Sequence, residues 1–393
     1  MLNGTVDDAF APVGRELTRN FRERGEAGAA VCVEVDGKVV VDAWGGVKNP
    51  RTGEPWGPDT IVLVFSSTKG ATSLCAHLLA ARGEIDLDAP IARVWPAFAA
   101  AGKDAITLRQ ALAHRGGLPA IDEPLPMEAS YDFERMTAAI AAQAPHWAPD
   151  TAHGYHPFTF GWIVGEVIRR ASHDTVGGFF RRALGDPLAL ELWIGLPEEH
   201  EARVARILPP LPPTGPTRFL AALLSPESLT ARSFLNPITF FAPGGPNSRA
   251  MRAAEIPAAN GVASARGLAG LYGLLARGGA HGGKEIVPSA TVADLGRVVS
   301  DGDDRVLLQR TRFSAGYMKS VETPEGAAWF GPSPEAFGHT GAGGSFGMAD
   351  PVARVSIGYV MNQMGSGALL NDRGQAIIDA VYESLGAPRR AVS

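Results

Sequence analysis

The chain has 393 residues, of which 45% are hydrophobic, enough to bury a sizeable core in one large or two closely joined domains. Its 36 basic and 41 acidic residues give a net charge of −5 without long runs of like charge, which argues against a nucleic-acid partner. No uninterrupted apolar stretch of membrane-spanning length and no secretory signal pattern occur, so we expect a cytoplasmic protein.

The first part of the chain predicts a helix, a hairpin and a second helix. Residues 7–25 have apolar positions at helical spacing, which predicts an N-terminal helix. The runs AAVCVEVDG and KVVVDAWGG meet at Asp36-Gly37 and predict a hairpin, because both turn residues tolerate positive φ. A second helix is predicted at 67–82, and Gly83 is expected to end it as a C-cap.

The middle of the chain is richer in helices and loops. Residues 85–200 read mostly as these two kinds of structure. The segment ILPPLPPTGP at 207–216 contains too much proline for regular structure. Together with the residues up to about 250 it is expected to form a surface excursion, such as a lid or a pocket wall. Four aromatic side chains of this excursion either shape a pocket or simply pack: Phe219, Phe234, Phe240 and Phe241.

Strand-like segments return towards the C-terminus, after a helix predicted at 262–278. The expected strands are 312–321, 326–331, 344–350 and 353–361, and a last helix is expected at 369–385.

Strands therefore lie at both ends of the sequence, with helical material between them. We predict an α/β protein of the α+β type, in which one antiparallel sheet is flanked by the terminal helices. The sheet domain is expected to take residues 1–84 and 255–393, and an inserted, mainly helical domain is expected to take residues 85–254. The junction of the two is a natural place for a binding cleft.

Two patterns that could carry chemistry have a better structural explanation. The pentapeptide GGSFG at 343–347 fits the nucleophile elbow G-x-S-x-G, but that elbow needs a later histidine, and the last histidine, His339, precedes Ser345. The nine histidines form no metal-binding motif, and His153 and His156 lie in an apparent loop. We therefore expect a glycine-rich turn at the pentapeptide, and neither a metal nor a cofactor.

The segment Ser66-Ser67-Thr68-Lys69 matches the pattern S-x-x-K, in which serine and lysine share one helix face. It follows the apolar run IVLVF and opens a helix, so the N–H groups around Ser66 would favour an oxyanion. Apolar surroundings would lower the pKa of Lys69 and let it act as a neutral base. Taken alone, the pattern fits an N-cap serine and a solvated lysine equally well.

Five segments taken together are more specific than any one of them. They are VFSSTKGATS, then ITLRQALAHRGGLPA at 106–120, HGYHPFTFGWIVGEVIRR at 153–170, NGVASARGLAGLYGLLARGG at 260–279 and FGHTGAGGSFGMADP at 337–351. In content and order they resemble the serine β-lactamase and penicillin-binding protein superfamily, and most closely its family VIII carboxylesterases. The resemblance covers most of residues 30–362 and implies a serine β-lactamase-like fold.

The resemblance implies a role for each matching residue. Ser66 would be the nucleophile, and Lys69 and Tyr155 would share the proton transfer, with Tyr155 held as a phenolate-like base. The backbone N–H groups of Ser66 and Ala342 would form the oxyanion hole. Substrate would be bound by His156 and by the segment that stands where many relatives have Lys-Thr-Gly, namely His339, Thr340 and Gly341.

Two departures from the family pattern favour uncharged substrates. Pro157 stands where lactamases carry asparagine and has no side-chain donor for an amide carbonyl. His339 replaces a permanent cation that would bind a substrate carboxylate. We therefore predict a serine carboxylesterase that hydrolyses small, short-acyl esters through a Ser66 acyl-enzyme, with weak β-lactamase activity as a side reaction.

Other functions on the same fold stay open at this point. They are a β-lactamase, a D-aminopeptidase and an acyltransferase. A catalytically silent or ligand-binding relative would be expected to lack Ser66, Lys69 or Tyr155, and all three are present. The expected partner is a small-molecule ester, without nucleic acid or membrane, and the sequence does not indicate an oligomeric state.

Overall fold

The hairpin predicted at Asp36-Gly37 begins the main sheet of the computed structural model. Its two strands, Gly28–Val35 and Lys38–Asn49, pair antiparallel. Asp36 and Gly37 have φ values of 51° and 80°, the positive values that a two-residue turn of type I′ requires. The turn sets the pairing of Val35 with Lys38 and of Glu34 with Val39, and the register shifts between Val33 and Glu34.

The structure describes residues 2–213, 215–321, 329–367 and 369–387. The strands are β1 (Asn3–Val6), β2 (Gly28–Val35), β3 (Lys38–Asn49), β4 (Glu54–Pro55), β5 (Val62–Leu63), β6 (Leu192–Trp193), β7 (Val262–Ala263), β8 (Ala280–His281), β9 (Lys284–Glu285), β10 (Ser300–Asp303), β11 (Arg310–Phe313), β12 (Met318–Lys319), β13 (Phe337–Thr340), β14 (Phe346–Asp350) and β15 (Val355–Met361). The helices are α1 (Ala11–Glu23), α2 (Thr68–Ala81), α3 (Leu108–Leu112), α4 (Phe133–Ala142), α5 (Thr159–Ser172), α6 (Val176–Phe180), α7 (Arg218–Leu223), α8 (Leu229–Leu235), α9 (Arg249–Ala253), α10 (Ala265–Ala276), α11 (Ser289–Gly296) and α12 (Asp372–Ser384). The four helices predicted individually are confirmed as α1, α2, α10 and α12, each a few residues shorter than predicted.

The main sheet is antiparallel and joins strands from both ends of the chain. Its order is β1, β3, β2, β15, β14, β13, β12, β11 and β10, and β4 pairs with β3 off this path. The two ends meet at the centre, where residues 29–35 of β2 pair with residues 355–361 of β15. The predicted antiparallel sheet, built jointly by the first and last parts of the sequence, is confirmed.

Helices cover both faces of the main sheet. Successive strand residues point to opposite faces, and on β14 the Phe346 ring contacts Gly374 of α12, whereas Gly347 lies against Tyr272 of α10. Helix α10 packs across β2, β14 and β15, and α1 packs against α12. The predicted flanking by the terminal helices is confirmed, with α10 on the opposite face.

Helices α3 to α9 and the loops between them make up most of residues 85–254. A small sheet connects this region to the Ser66 segment, because β7 pairs with both β5 and β6. Within the described residues of 207–216 there is no helix or strand, as the prolines predict. No helix in the described ranges is long and apolar enough to cross a membrane. The division into two domains at 84/85 and 254/255 stays a prediction.

Parts of the sheet differ from the predictions for identifiable reasons. The strand predicted at 312–321 is divided into β11 and β12, because the chain turns at Gly316, whose φ is 101°. Strands β1 and β10 have no predicted counterpart, since their sequences NGTV and SDGD lack apolar alternation. Half of the strand predicted at 326–331 lies outside the described residues, and Trp329 and Phe330 lie in a turn.

Candidate active site

Ser66 lies where an apolar strand bends into a helix. The N–H of Val64, just after β5, donates to the Gly261 carbonyl at 2.8 Å, and Phe65–Ser67 form a short 3-10 turn that continues into α2. Phe65 has a φ of 47°, a left-handed value that is costly for a bulky side chain and is typical of functional sites. Ser66 is half-buried, whereas Ser67 to Lys69 are buried, so the Ser66 hydroxyl is the accessible one of this segment.

Lys69 is fully buried, and its Nζ points back to Ser66 one turn earlier. Nζ lies 3.4 Å from Ser66 Oγ and also donates to the carbonyls of Pro157 at 2.8 Å and Ala258 at 3.0 Å. Carbonyl oxygens only accept, so these two take two N–H bonds of the amine. The lone pair of the neutral amine is then left for Ser66, whose hydroxyl can donate to it. This hydroxyl proton is the one that a base must remove.

Tyr155 supplies a second polar group near Ser66, and its interaction with the Ser66 hydroxyl opposes the rise in its pKa that burial causes. Its ring packs against His114, with ring centroids 4.8 Å apart, and stacks on Phe313 at 6.1 Å with an interplanar angle of 13°. Its backbone N–H donates to both carboxylate oxygens of Asp304 at 3.0 Å. Both the ring and the backbone of Tyr155 are therefore held in place.

Burial shifts the pKa values of both groups towards their neutral forms. It lowers the pKa of the Lys69 amine well below the usual 10.5. It also raises the pKa of the Tyr155 phenol above the usual 10.0, against an opposing effect of the hydrogen bond to Ser66. A neutral amine next to a neutral phenol is therefore favoured. This differs from the prediction that Tyr155 is held as a phenolate-like base, because burial disfavours both charges of such a pair.

The next part of the site comes from the turn after β13. Gly341 passes so close to the serine segment that an added Cβ would lie 2.2 Å from the Val64 carbonyl oxygen and 3.2 Å from Ser67 Oγ. Only glycine fits such an approach. Ala342 follows, and its N–H has no hydrogen-bond partner in the part of the chain that the structure describes. The predicted oxyanion-hole residue thus follows directly on this close approach, with its donor unengaged.

The turn that carries Ala342 is fixed by three donors. The carbonyl of Gly343 accepts hydrogen bonds from the Gly365 N–H at 2.9 Å, from Asn371 Nδ2 at 2.9 Å and from Arg373 Nη2 at 3.2 Å. Asn371 and Arg373 belong to the start of α12. The last helix of the chain therefore holds the Ala342–Gly343 turn in place.

His156 is held by the protein backbone on both ring nitrogens. Its Nδ1–H donates to the Gly154 carbonyl at 2.7 Å, and its Nε2 accepts the Leu118 N–H at 2.9 Å. Burial lowers its pKa to about 3, so the ring is neutral. The contacts of His156 are those of a residue that organises its loop, and they leave no ring nitrogen for the substrate-binding role predicted for it.

His339 and Thr340 are buried side chains of β13. Nδ1 of His339 donates to the Thr340 carbonyl at 2.8 Å, which leaves Nε2 as an acceptor, and this atom has no partner among the described residues. The His339 ring lies 6.1 Å from the Tyr155 ring, and burial lowers its pKa to about 3. The Thr340 hydroxyl donates instead to the sulfur of Met318 at 3.4 Å. His339 is therefore a neutral group with one unused acceptor beside Tyr155.

Ser345 is a buried residue of the turn between β13 and β14. Its Oγ donates to the Val64 carbonyl at 2.9 Å, and its own carbonyl accepts the Gly341 N–H at 2.7 Å. A strand, not a helix, follows it, so the nucleophile-elbow interpretation fails as predicted. Within the described ranges there is no cluster of His, Cys, Asp or Glu side chains that could hold a metal ion.

Comparison with known proteins agrees with this geometry, since residues 15–382 match the Beta-lactamase family. The chain belongs to the Beta-lactamase family. It is similar to the curated protein "Esterase/beta-lactamase LipL" of Mycobacterium tuberculosis (strain ATCC 25618 / H37Rv), with 33% identity over 388 residues that cover 94% of this chain and 85% of the relative.

Two solved structures are similar to this chain over almost its whole length. A penicillin-binding protein homologue from Caulobacter crescentus has 37% identity and a TM-score of 0.88, covering 98% of this chain and 100% of its own. A family VIII carboxylesterase has 36% identity and a TM-score of 0.87, with the same coverage. These relatives bear out the resemblance to family VIII carboxylesterases and the serine β-lactamase-like fold, and they identify this Beta-lactamase family member as a serine hydrolase.

An aromatic cluster borders the serine in this Beta-lactamase family member. Its members are Phe65, Phe158, Phe219, Phe234 and Phe240. Phe240 stacks on Phe158 with ring centroids 4.9 Å apart and lies 6.0 Å from Phe65, the residue before Ser66. The surface excursion predicted around residues 207–250 thereby contacts the segments that carry Ser66 and Tyr155. Phe241, by contrast, is 49% exposed.

Three further residues of the site have no role assigned by the sequence patterns: His114 and Phe158, which lie within the matched segments 106–120 and 153–170, and Asp304, which lies outside all five segments. Asp304 belongs to the run DGDDR, which is typical of a solvated turn, yet it is 2% exposed. Phe158 has the spacing of an ordinary core residue before a helix. Their importance depends on contacts between distant segments, which no local pattern records.

Proposed function

We propose that this protein is a carboxylesterase that hydrolyses small, uncharged, short-acyl esters through an acyl-enzyme on Ser66. The observation that carries the proposal is the buried Lys69 amine, which lies 3.4 Å from the Ser66 hydroxyl and has two N–H bonds engaged by carbonyls, with the Tyr155 phenol as a second polar group nearby. A serine with a base in reach is the arrangement of nucleophilic catalysis. The names of two relatives, an esterase/beta-lactamase and a family VIII carboxylesterase, support the same reaction class.

The first half-reaction forms the acyl-enzyme. Lys69 Nζ accepts the Ser66 proton as Oγ bonds to the ester carbonyl carbon, and the backbone N–H groups of Ser66 and Ala342 stabilise the oxyanion. Collapse of this intermediate breaks the bond between the carbonyl carbon and the alcohol oxygen. The alcohol leaves with the proton, which passes from Lys69 through the Tyr155 hydroxyl, so Lys69 is neutral again.

The second half-reaction releases the acid. A water molecule takes the place of the alcohol and loses a proton through Tyr155 to Lys69 as its oxygen bonds to the acyl carbon. The bond to Ser66 Oγ breaks, and Ser66 recovers the proton from Lys69. The products are a carboxylic acid, an alcohol and the unchanged enzyme.

The neutral surroundings of the site support an uncharged substrate. His339 offers an acceptor and no positive charge, so a substrate carboxylate would find no cation at this position. Pro157 has no side-chain donor for an amide, and the aromatic cluster adds apolar surface next to Ser66. We therefore propose that His339, Thr340 and Gly341 contact the substrate without hydrogen bonding to the ester, and we treat β-lactam hydrolysis as a weak side activity.

The first experiment is the intact mass of the protein after exposure to p-nitrophenyl butyrate and to a phosphonate ester. Wild type is expected to release p-nitrophenol and to gain one phosphonate that maps to Ser66. Ser66→Ala is expected to do neither while remaining folded. Ser345→Ala is the matched control, because Ser345 lies in the other serine motif and is buried; it is expected to keep the Ser66 adduct.

A panel of esters, nitrocefin and D-amino-acid amides then separates the alternatives on the same fold. Preference for short p-nitrophenyl esters is expected. Faster turnover of nitrocefin or of D-amino-acid amides would replace the esterase proposal by a β-lactamase or a D-aminopeptidase. Transfer of the acyl group to added alcohols in preference to water would indicate an acyltransferase. Turnover by Ser66→Ala, or no adduct on wild type, would contradict the nucleophile itself.

A further inference from the structure

Asp304 is a buried carboxylate in the loop between β10 and β11, and it is 2% exposed. A buried carboxylate needs several hydrogen bonds to offset its desolvation. Its bonds come from backbone N–H groups and a hydroxyl: Tyr155, Val306, Leu307 and Thr311. These bonds connect the Asp304 loop to the segment that carries Tyr155.

The two carboxylate oxygens of Asp304 bond both to their own loop and to the segment of Tyr155. Oδ1 accepts the N–H groups of Val306 and Leu307, both at 2.8 Å, which is the pattern of a local Asx-type turn. Oδ2 accepts the Thr311 hydroxyl at 3.2 Å, outside that turn. The Tyr155 N–H reaches both oxygens at 3.0 Å from 149 positions away in sequence. An aspartate that only forms a turn needs the bonds from Val306 and Leu307. The bond from Tyr155 is not required by the turn.

A second contact joins the same two segments. The Arg305 N–H donates to the His153 carbonyl at 3.2 Å, and an added Cβ at Gly154 would lie 3.2 Å from Cβ of Arg305. The segment before the Tyr155 phenol is thus fastened to the Asp304 loop on both sides of Gly154. No helix or strand includes residues 153–155. The backbone there is held by these two bonds to the Asp304 loop, by the Gly154 N–H, which donates to the His114 carbonyl at 3.2 Å, and by the Gly154 carbonyl, which accepts from His156 Nδ1.

We propose that Asp304 is a positioning residue for Tyr155: by accepting its backbone N–H, Asp304 sets the distance between the Tyr155 hydroxyl and Ser66. This proposal rests on the proposed function, in which Tyr155 passes the proton. The His153 ring extends the arrangement, since its Nε2–H donates to Thr311 Oγ1 at 2.8 Å and thereby directs the Thr311 hydroxyl proton to Asp304. Asp304 touches neither the substrate nor the reacting atoms, so its effect passes through Tyr155.

The test is Asp304→Asn, which is nearly isosteric. An asparagine has one acceptor oxygen, so it can keep the local turn but presents an N–H group to either Tyr155 or Thr311. We expect kcat for p-nitrophenyl butyrate to fall by about 10- to 100-fold, because small displacements of a catalytic group cost this much, with KM nearly unchanged. Asp301→Asn is the matched control in the same hairpin, because the side-chain bonds of Asp301 to the described residues are surface ion pairs with Arg310 and Arg312, and it is expected to keep wild-type kcat.

A double-mutant cycle separates positioning from general damage. In a Tyr155→Phe background the phenol is gone, so Asp304→Asn is expected to lower the remaining kcat by less than about threefold. An equal loss in both backgrounds, or wild-type kcat in Asp304→Asn, would overturn the proposal. Full activity of Tyr155→Phe would instead remove Tyr155 from the mechanism, and absence of a Ser66 adduct in wild type would remove the proposed function itself.

If Asp304→Asn does not fold, Thr311→Val provides the second test. It removes the hydroxyl bonded to Oδ2 but leaves the carboxylate and its bond to Tyr155 in place. A smaller loss of about three- to tenfold in kcat alone is expected, since one member of the network is removed. Unchanged kcat in a folded Thr311→Val, or a loss of the same size in the Tyr155→Phe background, would overturn the proposal.

Discussion

The Nζ atom of Lys69 donates to the carbonyl oxygen of Pro157 at 2.8 Å. Pro157 stands where lactamases of the superfamily carry asparagine, and proline has no side-chain donor. A backbone carbonyl is independent of the side chain, so this contact survives the replacement. We therefore expect the departure at Pro157 to change substrate binding and to leave the contact that orients the Lys69 amine in place.

The catalytic base is expected to titrate as a buried lysine. Burial lowers the pKa of Lys69, and the base is active only when deprotonated, so kcat/KM should fall as the pH drops through this lowered pKa. Burial also lowers the pKa values of the neighbouring His114, His156 and His339, which favours their neutral forms.

Substitution of Lys69 tests this assignment. Lys69→Arg keeps a long basic side chain but cannot deprotonate, so it should be as inactive as Lys69→Ala, with kcat reduced by more than about 10³-fold. Circular dichroism should show that at least one variant is folded. Appreciable turnover by Lys69→Arg at pH 7 would contradict the role of a neutral amine.

The aromatic cluster predicts a preference for apolar acyl or alcohol groups. Phe240 stacks on Phe158 and lies beside Phe65, so Phe240→Ala removes apolar surface next to Ser66. We expect kcat/KM for p-nitrophenyl butyrate to fall by about 10- to 100-fold and that for the acetate by less, as expected for lost apolar contacts. Phe241 is the matched control, since it is 49% exposed. Phe241→Ala should leave the ratio of kcat/KM for the butyrate to kcat/KM for the acetate unchanged. Equal ratios in both variants would place the substrate elsewhere.

The sequence predicts those parts of the fold that depend on local patterns. The hairpin at Asp36-Gly37 is readable because a type I′ turn demands residues that tolerate positive φ. Helix α2 is readable because its apolar face and the Gly83 C-cap mark its length. Strand β10, with sequence SDGD, is not readable, because pairing with β11 rather than its own composition makes it a strand.

The candidate site divides in the same way. Ser66 and Lys69 lie on consecutive turns, so their proximity follows from helix geometry. Tyr155 is found through its flanking sequence, but its neutral state depends on burial that the sequence does not specify. The partners of His156 come from the backbone at Leu118 and Gly154, and only the folded structure shows that both ring nitrogens are taken.

The support of the Ala342 turn by α12 gives another prediction. The Asn371 side chain makes two hydrogen bonds. Its Oδ1 accepts the Gly374 N–H at 3.2 Å and so caps α12, and its Nδ2 donates to the Gly343 carbonyl at 2.9 Å. Asn371→Asp keeps the cap but not the donor, because aspartate is an equally good N-cap. We expect kcat to fall about tenfold, less than the loss of an oxyanion donor.

Asn371→Ala is the companion variant. It removes both the cap bond to Gly374 and the bond to the Gly343 carbonyl. Its free energy of unfolding should therefore also fall by about 1 kcal/mol, the usual value of an N-cap. Stability from urea denaturation and kcat from ester hydrolysis measure the two effects separately. Wild-type kcat in Asn371→Asp would mean that Arg373 and Gly365 hold the Gly343 carbonyl without help.

Buried neutral histidines predict a loss of stability in acid. His77 on α2 is 1% exposed, its Nε2 bonds to the Ala315 carbonyl at 2.9 Å, and burial lowers its pKa from 6.5 to about 4. Between these two values the unfolded chain binds a proton that the native protein does not, so the free energy of unfolding falls as the pH drops below 6.5. The contribution of this one group approaches about 1.4 kcal/mol per pH unit and ends near the lower value.

His77→Gln removes this titration while keeping a side-chain donor for the Ala315 carbonyl. The variant is expected to be less stable than wild type at pH 7, because its shape differs, but to lose less stability on going to pH 5. Urea denaturation at pH 7, 6 and 5 measures the difference between the two slopes, which should amount to roughly one proton. The same substitution at the exposed His173 controls for the loss of a histidine. Parallel slopes for wild type and His77→Gln would show that His77 binds its proton equally in the folded and unfolded chain.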